Sequence, residues 1–74
     1  MGAADRAAIR YLKESGGDVN LFETELLQDY RFGQAFFNAL THKDQDILRG
    51  TLHDPFYDEG VLKVFVAIDF LMTE

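Results

Sequence analysis

The chain has no cysteine, which excludes disulfide staples and thiolate metal sites and leaves the core to hold the fold without covalent help. A reducing cytoplasm is the setting this implies. Long apolar runs are missing as well. The most apolar stretch, residues 61–72, is interrupted by Lys63 and Asp69 and falls well short of the about 20 residues that a membrane span requires. The opening MGAADRAAIRYLKE holds no uninterrupted apolar segment of the export-signal kind, and no internal repeat or low-complexity tract occurs. Positive charge is scarce: seven Lys and Arg stand against thirteen Asp and Glu, a net −6. In residues 1–14, Arg6, Arg10 and Lys13 outnumber Asp5 and Glu14 to give +1, which leaves −7 on the other sixty. Such an acidic body repels phosphate backbones, so direct nucleic-acid binding is not expected. A protein partner with a basic surface is electrostatically easier.

What is present is apolar supply. Hydrophobic residues make up 47% of the 74, with seven Phe and three Tyr, which sets the chain apart from compositions that stay disordered. Its length suits one small domain spanning residues 1–74, because chains of this size bury only about 60% of their unfolded surface and cannot support two cores.

Helical periodicity organises most of it. Residues 3–15 place Ala4, Ala8, Ile9, Tyr11 and Leu12 on one side and Arg6, Arg10 and Lys13 on the other, and Gly16-Gly17 supplies the stop. Asn20 with Glu23 has capping spacing, so a second helix is expected from about Leu21, with Phe22, Leu26 and Tyr30 recurring and Leu27 beside them. Phe32, Phe36, Ala39 and Leu40 continue a core-facing stripe. Gly33 within that pattern predicts a bend or a close backbone approach, with a kink or break between Asp29 and Gly33. Thr41 can cap a short polar segment, Lys43 to Arg49, that Gly50 ends. A loop over residues 51–60 follows, in which Pro55 biases Asp54 away from helical dihedrals.

Residues 61–72 read two ways. Leu62, Val64, Val66, Ile68, Phe70 and Met72 alternate as in a half-buried strand, whereas Val61, Val64, Phe65, Ile68, Leu71 and Met72 make a helical face that Asp58 can cap. A strand needs a partner, and the only other extended candidate is the segment 18–22. Helix is therefore the expectation and a β-strand at 61–72 the alternative. The predicted architecture is a mainly α bundle of about four helices, with a core drawn from Ile9, Leu12, Phe22, Leu26, Leu27, Phe32, Phe36, Leu40, Leu48, Val64, Phe65, Ile68 and Leu71.

Reactive constellations are weak. His42 and Asp46 have helical i, i+4 spacing, but with His53 they fall short of the three or four converging ligands of a zinc site. Asp54, Asp58 and Glu59 lack the ligand alternation of a calcium loop and serve turn formation and capping. No G-x-S-x-G and no phosphate loop is present, since Gly16-Gly17 follows a helix instead of opening one. No enzymatic activity, metal or cofactor is expected.

Recognition is what remains. Arg31, Gln34 and Asn38 share one sector of a helix, and Phe37 points away from the Phe32/Phe36/Leu40 face. Phe37 is either wrapped by Phe56-Tyr57 into the core or left as an exposed anchor. With Asp54, Phe56, Tyr57, Asp58 and Glu59 these form the candidate partner-binding set. The combination Arg31-x-Gly33-Gln34-x-x-x-Asn38-x-Leu40, Arg49-Gly50-Thr51 and Asp54-Pro55-Phe56-Tyr57-Asp58 resembles a group of small phage-encoded proteins of unassigned function. The resemblance covers about forty residues and implies a phage or prophage origin, action in a bacterial cytoplasm and no catalytic residues. The N-terminal helix has no counterpart in that group. The expectation is then a modulator or inhibitor of a host nucleic-acid-handling protein, acting in part as a DNA mimic. The carboxylates of Glu23, Glu25, Asp29, Asp44, Asp46, Asp54, Asp58 and Glu59 would carry that role, in a monomer or weak homodimer. The alternatives are an assembly protein that self-associates through its apolar C-terminal segment, and a small transcription regulator using the Arg6/Arg10/Lys13 face.

Overall fold

A computed structural model of the chain describes residues 2–51 and 61–73, and among them stand five α-helices and no strand. They are α1 (Ala3–Ser15), α2 (Val19–Leu27), α3 (Phe32–Ala39), α4 (His42–Leu48) and α5 (Leu62–Thr73). Helix α2 packs on α3, while α5 lies against α1, α3 and α4.

The connections show why the helices end where they do. Gly16 closes α1 in the left-handed conformation, φ 84°, and its N–H donates to the Leu12 carbonyl. Gly17 is needed for a different reason: a Cβ there would sit 2.6 Å from Leu12 Cδ2 and 2.7 Å from the Ala39 carbonyl oxygen. That same oxygen accepts the Asp18 N–H at 2.8 Å, so the α1–α2 turn is clamped against the end of α3. Asp18, not Asn20, is the cap of α2; its Oδ1 accepts the Leu21 N–H at 3.0 Å. The clamp fixes the chain two residues before the expected start, and an aspartate there satisfies an orphan amide directly.

The kink or break expected between Asp29 and Gly33 is a full break. Asp29 takes φ 65°, a conformation that ends α2, and α3 starts afresh at Phe32, so five helices and not about four stand among the described residues. Gly33 is buried in the first turn of α3. Thr41 caps α4 as expected, its Oγ1 accepting the Asp44 N–H at 3.2 Å, and Gly50 at φ 84° follows the helix end. The strand alternative for residues 61–72 is not formed. Its only partner segment, residues 18–22, is occupied as the cap and first turns of α2.

One core cluster joins all five helices, through Leu12, Phe22, Phe36, Leu48 and Val64 among its largest buried side chains. Phe22 meets Phe32 and Phe36 edge-on at centroid distances of 5.6 and 6.4 Å, and Tyr11 packs against Phe36 at 6.2 Å. Such edge-to-face contacts add about 0.5–1.5 kcal/mol to area burial. Two expected core residues are outside: Leu27 is 87% exposed and Phe65 40%. Leu27 is the last residue of α2 and lies about 140° around the helix from the buried Phe22 at 100° per residue. Phe65 is displaced because α5 presents Val64, Ala67 and Leu71 inward, a face rotated by roughly 60° from the expected one at 100° per residue. Alanines carry more of the close packing than expected, with Ala8, Ala35 and Ala67 fully buried.

Candidate interaction surface

The structure takes apart the polar sector read from α3. Asn38 is half-buried and donates from Nδ2 to Glu25 Oε1 at 3.1 Å, tying α3 to α2. Arg31 and Gln34 are half-buried at the start of α3. Phe37 is 6% exposed, with the Arg49 guanidinium 5.8 Å above its ring, so of its two readings the core one holds and its place in the partner-binding set is corrected. The other candidates, Asp54, Phe56, Tyr57, Asp58 and Glu59, lie outside the described residues, as does His53. His42 is exposed at the start of α4, and Asp46 pairs with Arg49 at 3.0 Å. Among the described residues no cluster of three metal-ligating groups occurs.

Polar contacts between helices are few and specific. Gln45 on α4 donates from Nε2 to the Phe37 carbonyl at 2.9 Å and to those of Leu40 and Asn38 at 3.3 and 3.4 Å. Its two N–H groups are shared among these carbonyls at the end of α3, of which that of Phe37 also accepts the Leu40 N–H at 3.1 Å. The Tyr11 hydroxyl donates to Asp44 Oδ2 at 2.7 Å, bridging α1 and α4. Burial of the phenol, and then the adjacent carboxylate, push its pKa well above the ordinary value. The hydroxyl therefore stays protonated and donating throughout the neutral range.

Two surface features stand out. Helix α5 is apolar on nearly every side, so burying Val64, Ala67 and Leu71 leaves Leu62 (74% exposed), Phe65, Val66 and Met72 (70%) on the outside. At 100° per residue these four share one sector with Asp69 at its middle. The second feature is an open trough of about 740 Å³ between α1 and α5, lined by Arg6, Ala7, Arg10, Tyr11, Glu14, Ile68 and Met72. Sequence reasoning offered the apolar C-terminal segment as a contact only in the self-association alternative and did not resolve its outer sector, although a helix apolar all round in so small a chain signals that one side must remain uncovered. The trough had no sequence signal, because it joins residues nearly sixty positions apart.

No helix of the described residues is long and apolar enough to cross a membrane. The class of fold is thus a small, mainly helical domain. Comparison with protein-family models, with curated proteins and with solved structures gave no match to this chain.

Proposed function

We infer that the chain is a small acidic protein-binding module that makes contact through the outer sector of α5. The observation that carries this reading is the exposure of Leu62, Phe65, Val66 and Met72 together on one helix. Side chains of this kind, grouped and not scattered, are what interfaces cover. The finer reading is a phage-encoded modulator of a host nucleic-acid-handling protein in a bacterial cytoplasm. It rests on the sequence resemblance and on the net charge of −6.

A DNA-mimic role draws less support from the geometry than the apolar sector does. Of the five carboxylates in that set among the described residues, Glu25, Asp44 and Asp46 are engaged by Asn38, Tyr11 and Arg49. They contribute field, while Glu23 and Asp29 are left for direct contact. Self-association is the second reading, favoured by the same apolar sector of α5. It meets the cost of placing two chains of net −6 together, with Asp69 in the middle of the contact.

The test combines sedimentation with affinity capture from the native cell, using wild type and the Leu62→Asp/Val66→Asp double variant. A protein retained by wild type and lost by the variant supports the module reading. A wild-type dimer at micromolar concentration that the variant disperses supports self-association. Identical captured sets from two monomers would remove α5 as the contact surface.

A further inference from the structure

We propose that the trough between α1 and α5 receives an amphipathic helix of a protein partner, with acidic residues along the edge that faces α1. The proposal rests on the module reading above and assigns the chemistry of the partner. Its apolar lining is Ala7, the Tyr11 ring and Ile68, together with the exposed side chain of Met72. Its α1 rim carries Arg6 and Arg10.

Arg6 is exposed and has no ion pair among the described residues. Arg10 meets Glu14 only through Nε, at 3.5 Å, with 81% of its side chain exposed, so its terminal nitrogens face solvent. From Arg6 to Glu14 the rim runs about 12 Å along the axis of α1, the length of roughly two helical turns. An apolar trough of that length fits the side chains of a helix spaced at i, i+3, i+4 and i+7. Met72 also belongs to the outer sector of α5, so a helix seated in the trough continues onto that face.

Charge decides the occupant. The chain as a whole is acidic, so a partner drawn to its average field would be basic. At the α1 rim of this trough the local sign is reversed, because two guanidiniums stand there against one carboxylate, Glu14, while the Asp44 carboxylate is engaged by the Tyr11 hydroxyl. Bidentate guanidinium–carboxylate pairs at the rim then set the orientation of an acidic edge. Nucleic acid is a poorer occupant, since the apolar lining offers phosphates nothing and the rest of the chain repels them.

The experiment is selection from a display library of helical peptides with apolar residues fixed at i, i+3, i+4 and i+7 and all other positions free. Acidic enrichment along one edge of the selected peptides is expected. Their amide shift perturbations should centre on Arg6, Ala7, Arg10, Tyr11, Ile68 and Met72. Binding should weaken at least about tenfold in the Arg6→Glu/Arg10→Glu variant and by less in Arg6→Lys/Arg10→Lys, which keeps the charge and loses the bidentate fork. Circular dichroism checks that both variants fold, as their exposed positions predict. Basic or charge-neutral winners, no winners, or indifference to the arginine reversals would overturn the proposal. So would a low-salt complex of duplex DNA on the same residues, or a wild-type dimer that the arginine reversal disperses. Peptides lost on Phe65→Asp but indifferent to Arg6 and Arg10 would leave the module reading standing and remove only the trough.

Discussion

Tyr11 shows how one side chain can serve packing and polarity together. Its ring leans on Phe36 while its hydroxyl reaches Asp44, so a single residue fastens α1 to both α3 and α4. Removing the hydroxyl leaves the carboxylate partly desolvated with a lost donor, and Tyr11→Phe is expected to cost about 1–2 kcal/mol in urea unfolding at neutral pH. A pH effect follows from the same bond. The folded state holds the phenol proton more tightly than the unfolded chain does. This contribution is therefore fully present below the ordinary phenol value of about 10 and lost as pH rises beyond it. Wild type should lose stability more steeply than Tyr11→Phe between pH about 10 and about 11, read from urea midpoints. Parallel curves would show that the phenol does not govern alkaline unfolding. Asn38 and Gln45 act in the same manner, each closing a helix–helix contact that an apolar side chain could not satisfy.

The behaviour of whole elements depends on how their ends are fixed. The α1–α2 turn is held by Gly17, whose missing Cβ allows Leu12 and the Ala39 carbonyl to approach. One of those neighbours is backbone and is itself bonded to the Asp18 N–H, so it cannot give way cheaply. Gly17→Ala is thus expected to destabilise by roughly 1–3 kcal/mol, the usual range for overpacking, with an unchanged helical spectrum. A loss below about 0.5 kcal/mol would show that the turn yields. The break at Asp29 separates α2 from α3, and folding α3 back on α2 lets Phe22 meet Phe32 and Phe36.

For the molecule as a whole, the decisive question is which side of α5 is covered. A domain of this size has only about 4–11 kcal/mol of total stability, so a buried charge can consume most of it. Ala67 is fully buried and Phe65 is 40% exposed. Ala67→Asp should therefore unfold much of the chain, at a cost above about 3 kcal/mol, whereas Phe65→Asp should stay folded and lose at most about 1.5 kcal/mol. Thermal melts followed by circular dichroism check both. A reversed order would mean that α5 is rotated relative to the arrangement described. The trough between α1 and α5 exists only because Ala67 and its neighbours set that rotation.

Sequence by itself determined the helical character of the chain, the stops at Gly16 and Gly50, the cap at Thr41, the break before Gly33 and most of the large core residues. Each of these is a local matter of periodicity, glycine conformation or a side chain reaching its own backbone. Tertiary structure alone decided the cap at Asp18, the choice between the two readings of Phe37, the exposure of Leu27 and the rotation of α5. The physical reason is that α5 is apolar on nearly every side, so its pattern names no preferred face until Ala67 meets its neighbours. The candidate site follows the same division: Arg6 and Arg10 were legible as a stripe on α1, but only the packing of α5 set Ile68 and Met72 beside them.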